Sequence, residues 1–411
     1  MFTVGAQPAE APPVLVPERF NLADFLVDRH LREGRGESIA ILCGEESITY
    51  RQVSERSNRV ANGLRALGVR REERVLLLLL DSPAFVYSFF AAQKIAAVPI
   101  PTNTLLKRAD YGYLLNDSRA SVAIVSEELV PLITAIPRSD LPYLRHIVVD
   151  GTAAPDTLPF EGLIRQPDEM RVEETSRDDA AFWLYSSGTT GFPKGAVHLH
   201  HDVAYTVALY AQGILGITAQ DRTYSVAKLF FAYGLGNALT FPFAVGARTV
   251  LWPGPSSAPN VFEQIERHRP TLFFSVPTNY GMLLAHRREG SDFDLGSIRQ
   301  AVSAGEALPR ALFERFKDRF GVEILDGIGS TEILHIFISN RPGRVRPGSS
   351  GQLVPGYEAR LLDENGGDVP DGTIGNLLIK GDSTCAYYWN KHERTKDTIE
   401  GHWIRTGDKY W

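Results

Sequence analysis

One segment combines hydroxyls, glycines and a lysine in an order that suits phosphate chemistry. It reads Tyr185-Ser-Ser-Gly-Thr-Thr-Gly-Phe-Pro-Lys-Gly195 and directly follows the apolar run at 181–185. Backbone N–H groups of such a loop, with hydroxyl and ammonium donors, can surround phosphate oxygens. It is not a Walker loop, because Gly195 follows Lys194 where that motif needs Ser or Thr. We expect a different phosphate-binding loop and exclude a P-loop kinase; the alternative is a Gly/Ser-rich surface turn.

Four further segments follow in a fixed order, and the five together resemble the motifs of one family. They are Ser303-Ala-Gly-Glu-Ala-Leu308, Asp326-Gly-Ile-Gly-Ser-Thr-Glu332, Gly375-Asn-Leu-Leu-Ile-Lys-Gly381 and Trp403-Ile-Arg-Thr-Gly-Asp408. The chain is thereby similar to the adenylate-forming, or AMP-binding, superfamily. That superfamily includes acyl-CoA and aryl-CoA ligases, luciferases and the adenylation domains of peptide synthetases. Two stretches, at 227–237 and 329–337, most resemble benzoate-CoA ligases.

The resemblance implies that the first segment binds the phosphates of ATP. The loop residues would be Ser186, Ser187, Gly188, Thr189, Thr190, Gly191 and Lys194. Of these, Thr189, Thr190 and Lys194 would hold the β- and γ-phosphates. Glu332 would ligate Mg²⁺, a hard cation that prefers carboxylate and water oxygens. Without its motif, Glu332 could equally be an acid favoured at a helix start by the helix dipole.

The resemblance also implies residues for the nucleoside and for the acid. The adenine and ribose would contact Gly305, Glu306, Ala307, Asp326, Gly327, Ile328, Thr331 and Asp408. The acyl pocket would be lined by Ala227, Phe231, Tyr233, Gly329, His335 and Ile336. Many relatives have a histidine where Phe231 stands, which favours a compact, apolar pocket here. Taken alone, Asp408 could be an exposed loop acid, Phe231 a core aromatic and His335 a buried structural histidine.

The reaction implied is ATP-dependent activation of benzoate, or a close aromatic acid, to an acyl-adenylate. CoA would then displace AMP, so ATP, Mg²⁺ and CoA are the expected cofactors and co-substrates. In the family, a lysine on a small C-terminal lid points at the reacting carboxylate. No residue of this chain matches that lysine, so we expect a chain truncated before the lid, with substrate binding retained and turnover impaired. An adenylation domain, or a binding module without turnover, is the alternative; a homodimer is also allowed.

Two stretches of alternating strand and helix patterns must position these motifs. The first contains a helix pattern from Val53 to a cap at Gly68, then apolar strands at 75–80, 121–125 and 146–149. The second continues through strands at 181–185, 249–252, 271–276, 298–302 and 322–325. Such alternation predicts parallel sheets, with ligands at the carboxyl ends of the strands.

We therefore expect an α/β fold of two doubly wound α/β lobes plus a small antiparallel β subdomain. The predicted boundaries are a Pro-rich tail at 1–20, the two lobes at 21–340 and the β subdomain at 341–411. The subdomain would contain short strands at 351–354, 358–362 and 374–379.

Composition excludes several other classes of protein. The 411 residues are 44% hydrophobic and 22% charged, unlike disordered, collagen-like or coiled-coil chains. A net charge of −6 argues against nucleic acid as a partner. The two cysteines, Cys43 and Cys385, form no zinc or disulfide pattern, which favours a reducing, cytoplasmic location. The longest aliphatic run, at 75–80, is far shorter than the ~20 residues of a membrane helix.

Overall fold

The strands form four sheets within residues 13–186, 192–370 and 372–411, which the computed structural model describes. The strands are β1 Ile39–Cys43, β2 Glu46–Thr49, β3 Arg74–Leu78, β4 Val98–Pro101, β5 Val122–Ser126, β6 His146–Asp150, β7 Leu158–Pro159, β8 Ala180–Ser186, β9 Lys194–Leu199, β10 Arg222–Ser225, β11 Arg248–Leu251, β12 Leu272–Ser275, β13 Gln300–Ser303, β14 Ile324–Gly329, β15 Ile336–Ser339, β16 Gln352–Leu353, β17 Glu358–Leu362, β18 Gly375–Lys380, β19 Tyr387–Tyr388, β20 Ile399–Glu400 and β21 Trp403–Tyr410.

Helices of different lengths connect these strands. The α-helices are α1 Arg29–Arg32, α2 Tyr50–Ala66, α3 Pro83–Lys94, α4 Arg108–Ser118, α5 Val130–Thr134, α6 Glu161–Ile164, α7 Asp202–Thr206, α8 Ala232–Leu235, α9 Phe241–Val245, α10 Ala258–His268, α11 Pro277–Ala285, α12 Arg310–Phe320 and α13 His392–Thr398. Asp24–Asp28, Val207–Gln212 and Gly236–Thr240 are π-helical, and Glu127–Leu129 and Arg138–Asp140 are 3₁₀ turns. Among the described residues, no helix has both the length and the hydrophobicity needed to cross a membrane.

The helix predicted after Tyr50 forms for local reasons. Thr49 accepts a hydrogen bond from the N–H of Gln52, whose side chain bonds back to Thr49, a capping box that starts α2. Gly68 follows the helix with φ +80°, a left-handed conformation that glycine adopts without strain. The prediction of this helix and of its glycine cap is confirmed.

One sheet of the first lobe is wholly parallel, in the order β4-β3-β5-β6-β7. Alternate residues of β3 enter different hydrophobic clusters. Val75 and Leu77 pack into the large cluster shared with the second sheet, whereas Leu76 and Leu78 pack with α4 and α5. Both faces are therefore covered, which explains why the strand is aliphatic at every position.

The second lobe is built on a nine-stranded sheet in the order β2-β1-β11-β10-β12-β13-β14-β15-β16. Its six central strands, β1, β11, β10, β12, β13 and β14, are parallel. Strand β2 adds an antiparallel edge on one side, and β15 and β16 add one on the other. The strand predicted at 351–354 thus joins this sheet through β16. The small antiparallel sheet, β17-β18-β21-β20, starts at Glu358. The domain boundaries predicted at residues 20 and 340 stay predictions, because sheet membership alone does not test them.

The strand predicted at 181–185 has a different position from the one expected. It is β8, and it pairs antiparallel with β9, which pairs with β19, in a separate three-stranded sheet. Residues 187–193 are too few for a parallel crossover, which needs about a dozen residues. The expectation that 181–185 continues the second parallel sheet is therefore wrong, and the glycine-rich segment connects a hairpin instead.

Candidate active site

The base of the β8–β9 hairpin is fixed on both sides. Ser186 and Lys194 are opposite each other at its end, while Ser187, Gly188, Thr189, Thr190 and Gly191 lie outside the described residues. The hydroxyl of Tyr185 donates to Oδ2 of Asp117 at 2.8 Å. The hydroxyl of Tyr113 donates to the carbonyl of Pro193 at 2.9 Å. Helix α4 therefore contacts the chain just before the predicted phosphate loop, at Tyr185, and near the end of the loop, at Pro193.

Two hydroxyl groups converge on Glu332. Ser186 donates to its Oε1 at 2.8 Å, and Tyr388 donates to the same oxygen at 2.7 Å. The ammonium of Lys194 lies 4.6 Å from the centroid of the Tyr388 ring. Burial and the charge of Glu332 raise the pKa of Tyr388, so its hydroxyl stays a donor at neutral pH. The hairpin, β19 and Glu332 thus form one polar cluster.

The backbone that carries Glu332 is held from outside. We call residues 330–334 the glutamate turn; it lies between β14 and β15, so no helix starts at Glu332. The carbonyls of Thr331, Glu332 and Ile333 each accept one hydrogen bond from outside the turn. Their partners are Nε2 of His198 at 2.8 Å, the N–H of Cys385 at 2.7 Å and the hydroxyl of Ser383 at 2.9 Å. These bonds fix the direction of the Glu332 side chain.

The oxygens around Glu332 fit a hard cation. Both hydrogen bonds to its carboxylate found in the described chain go to Oε1, which leaves Oε2 for a ligand. In the part of the chain that the structure describes, no group of three or more His, Cys, Asp or Glu side chains could hold a metal. A cation at Glu332 would therefore complete its coordination with phosphate and water oxygens, as Mg²⁺ commonly does.

Asp408 lies near this cluster and is partly buried within β21. Burial and the nearby charge of Glu332 raise the pKa of Asp408, while Thr406 opposes the shift by a hydrogen bond. Asp408 is therefore not the exposed loop acid that was the alternative, because it is partly buried and lies in a strand.

Six of the predicted nucleoside residues lie on or just after two adjacent parallel strands, whereas Thr331 is in the glutamate turn and Asp408 in β21. Gly305, Glu306 and Ala307 are exposed just after β13, whereas Asp326, Gly327 and Ile328 are within β14. The N–H of Leu308 donates to Oδ2 of Asp326 at 3.4 Å, which brings the two groups together. Burial raises the pKa of Asp326 to about 7.

His335 occupies an aromatic box. Its ring centroid lies 4.5 Å from Phe241, 5.2 Å from Tyr210 and 5.5 Å from Tyr233. Its Nε2 lies 3.1 Å from Oδ1 of Asn237. Burial lowers the pKa of His335 to about 3, so the ring is neutral at physiological pH. The box therefore offers an apolar, uncharged environment.

The other predicted pocket residues have different settings. Ile336 is buried, Ala227 is partly buried, and Phe231 is 48% exposed, with its ring 4.5 Å from Phe230. A Cβ at Gly329 would lie 2.6 Å from the carbonyl oxygen of His335, so the two backbones require glycine there. The structure thus brings Tyr233 and His335 together but leaves Phe231 at the surface.

A comparison with known proteins identifies the family. The sequence profile described as AMP-binding enzyme matches residues 28–389. The chain belongs to this family. This AMP-binding enzyme is 47% identical to a benzoate-CoA ligase from Thauera aromatica, over 100% of this chain and 78% of that protein. It is 42% identical to a 4-hydroxybenzoate-CoA/benzoate-CoA ligase from Rhodopseudomonas palustris, over 95% of this chain and 72% of that protein.

Two solved structures resemble the AMP-binding enzyme over nearly the whole chain. One is an anthranilate CoA ligase in complex with anthranoyl-AMP, with a TM-score of 0.93 and 46% identity; the match covers 96% of this chain and 76% of that one. The other is a benzoate CoA ligase from Burkholderia xenovorans, with a TM-score of 0.87 and 46% identity, covering 95% and 77%. The α/β fold class predicted from the sequence is confirmed.

Sequence reasoning missed Tyr388, His198, Ser383 and Cys385, which contact the glutamate turn or its side chain in the AMP-binding enzyme. Tyr388 lies in an aromatic run that indicates a strand, and only the pairing of β19 with β9 brings its hydroxyl to Glu332. His198 follows the phosphate loop in a strand that was not predicted. The one available signal was a polar histidine between Val197 and Leu199 in an otherwise apolar segment.

Proposed function

We propose that this AMP-binding enzyme activates benzoate, or a closely related aromatic acid, with ATP and transfers the acyl group to CoA. A carboxylate oxygen of the acid attacks the α-phosphorus of ATP, and the bond to the β-phosphate oxygen breaks, releasing pyrophosphate. The sulfur of CoA then attacks the acyl carbon, the bond between that carbon and the AMP phosphate oxygen breaks so that AMP leaves with the electron pair, and the thiol proton passes to solvent. The product is an aroyl-CoA thioester.

One arrangement carries the proposal. Glu332 and His335 lie on one short segment, with hydroxyl groups around the former and aromatic rings around the latter. The first environment suits phosphates with a cation, and the second suits a ring. The similarity to a protein and to a solved structure that are both named benzoate-CoA ligase supports an aromatic acid as the substrate.

The proposed roles at the polar end follow from charge. Lys194 would bind phosphate oxygens beside the loop, and Glu332 would hold Mg²⁺, which neutralises phosphate charge when bound. Ser186 and Tyr388 would orient the Glu332 carboxylate, because hydrogen bonds to a ligand fix its geometry. Asp408 would accept hydrogen bonds from the ribose.

The proposed role of the aromatic end is selection of the acid. Burying ~100 Å² of a phenyl ring contributes only about 2.5 kcal/mol at ~25 cal/mol/Å². Selectivity therefore also needs pocket shape and placement of the carboxylate. The neutral His335 adds no charge that would favour a charged ring substituent. The homodimer and the lysine of a C-terminal lid stay predictions.

The test measures the two half-reactions separately. Acid-dependent exchange of pyrophosphate into ATP and formation of the thioester are followed with benzoate, 2-aminobenzoate, 4-hydroxybenzoate, acetate and a long-chain fatty acid. We expect exchange with benzoate to exceed exchange with acetate and with the fatty acid. A preference for the fatty acid contradicts the assigned acid, whereas ATP binding that is unchanged in a Lys194→Ala, Glu332→Gln variant contradicts the assigned nucleotide site.

A further inference from the structure

A buried histidine and aspartate lie behind the glutamate turn. The side chains of His198, on β9, and Asp202, at the start of α7, are both 0% exposed. Nδ1 of His198 lies 2.8 Å from Oδ2 of Asp202, and Nε2 lies 2.8 Å from the carbonyl oxygen of Thr331. The histidine therefore bridges a carboxylate and the residue just before Glu332.

The carbonyl contact fixes the role of one ring nitrogen of His198. A backbone carbonyl oxygen only accepts hydrogen bonds, so Nε2 donates to Thr331 while Nδ1 faces Asp202. Oδ2 of Asp202 also accepts from the N–H of Leu199 at 3.1 Å, so this oxygen is held by two groups of one segment. Oδ1 lies 3.1 Å from Nε2 of His201 but forms no hydrogen bond in the described chain.

The pair joins two parts of the site that are distant in sequence. Lys194 and His198 belong to the same strand, β9, while Thr331 belongs to the glutamate turn. Thr331 is held by a side chain of β9, whereas the next two carbonyls are held by residues 383 and 385. His198 therefore links β9 to the backbone of the turn, as Ser186 of β8 links the hairpin to the Glu332 side chain.

We propose that His198, oriented by Asp202, is a positioning residue that aligns Glu332 with the phosphate-binding hairpin. The proposal rests on the proposed role of Glu332 in holding Mg²⁺ beside ATP. His198 does not touch the ligand; it acts through the Thr331 carbonyl.

The test compares ATP binding by calorimetry with Mg²⁺ present and with Mg²⁺ removed by EDTA. His198→Phe removes both hydrogen bonds and keeps a planar ring, whereas His198→Gln keeps one donor. The matched control is His200→Phe, because His200 is also buried, on the same segment, but bonds to the N–H of Leu22 instead. Thermal unfolding of each variant shows that it is folded, and the Gln variant serves if the Phe variant is not.

We expect His198→Phe to weaken Mg²⁺-dependent ATP binding about 10- to 100-fold, as loss of a group behind a metal ligand typically does. His198→Gln should lose less, and ATP binding in EDTA should not change in either. His200→Phe should bind like the parent. In the double variant with Glu332→Gln, His198→Phe should add nothing, because it acts through Glu332.

Three results overturn the proposal. Equal weakening with and without Mg²⁺, or additivity with Glu332→Gln, would mean that His198 supports the fold in general. If Mg²⁺-dependent ATP binding is unchanged in His198→Phe but weakened in Glu332→Gln, the proposed role of His198 is wrong and that of Glu332 stands. If Glu332→Gln itself leaves the Mg²⁺ dependence unchanged, the proposed role of Glu332 is wrong as well.

Discussion

Glu332 and His335 are close in sequence but lie in opposite environments. Glu332 is partly exposed and receives hydroxyl groups from two other segments, Ser186 and Tyr388. His335 is 2% exposed and is surrounded by aromatic rings. Between them, Leu334 has φ +73°, which turns the chain from one environment to the other.

The difference shows how one short segment can serve two chemistries. A carboxylate that binds a cation needs hydrogen-bond donors that orient it without neutralising its charge. Glu332 has two such donors, the hydroxyl groups of Ser186 and Tyr388. A ring pocket needs shape and the exclusion of charge, and burial supplies this by lowering the pKa of His335. The same burial acts on a carboxyl group: it raises the pKa of Asp326 to about 7. We therefore expect a substitution at the glutamate turn to weaken ATP binding alone, and a substitution at the aromatic box to weaken benzoate binding alone.

The largest expected effect concerns Asp326, whose pKa in the folded protein is about 7 against an ordinary value of 3.8. The protonated carboxyl is favoured on folding, so this stabilisation is present below pH 4 and is lost as pH rises through 7. Between pH 5 and 8 the loss amounts to about 3 kcal/mol. Asp326→Asn keeps a neutral group and should lose less stability over that range, measured by urea unfolding.

The control for that measurement is Asp318→Asn, on the exposed face of α12. Its free energy of unfolding should change between pH 5 and pH 8 by the same amount as that of the parent chain. If Asp326→Asn also follows the parent, the interior near the aromatic end does not reject charge as we infer.

The next effect is at Gly236, beside the aromatic box. A Cβ there would lie 2.4 Å from Cδ2 of His335, a ring that is already packed against Phe241. Gly236→Ala should cost about 2 kcal/mol of stability by overpacking and should weaken benzoate binding. ATP binding should be retained, because the glutamate turn does not depend on this contact.

Gly281→Ala is the control, since its Cβ would meet nothing within 4 Å and α11 gains helix propensity. Calorimetry with benzoate and with ATP separates the two ends of the site. Equal losses of both ligands in Gly236→Ala would mean that the two environments are coupled.

A smaller effect is expected from Tyr388→Phe, which removes one hydroxyl from Glu332. A hydrogen bond to a charged group contributes roughly 1.5 kcal/mol, so Mg²⁺-dependent ATP binding should weaken about 10-fold. Benzoate binding should not change. Tyr387→Phe, on the neighbouring and 40% exposed residue, should have no effect on either ligand; a loss in both variants would point to β19 as a whole.

The smallest expected effect is an absence of pH dependence. Because burial lowers the pKa of His335 to about 3, its ring stays neutral from pH 6 to 8. His335 should therefore contribute no pH dependence to benzoate affinity over that range, so the affinity profiles of the parent chain and of His335→Gln, measured by calorimetry, should have the same shape. A change in affinity centred between pH 6 and 7 that disappears in His335→Gln would show that the box admits a charged imidazole.

Much of the fold could be read from local patterns. Helix α2, its cap and the aliphatic strand β3 follow from periodicity, and the hydrophobic run of β3 reflects burial of both faces. The strand predicted at 75–80 extends too far: β3 ends at Leu78, and the N–H of Leu80 bonds to the side-chain hydroxyl of Ser126 on β5, not to a backbone carbonyl. The pairing of β8 was also misread, since an apolar strand looks the same in a parallel sheet and in a hairpin.

The sequence by itself determined the family, because the motifs are short segments whose residue types and order carry the resemblance. It also determined which segments are helices and strands with strong periodicity. Only the tertiary structure decided which groups surround Glu332: Ser186 is 146 residues away, Tyr388 is 56, and His198 reaches Thr331 across 133. Such pairs depend on strand register and on packing between sheets, and neither leaves a local pattern in the chain.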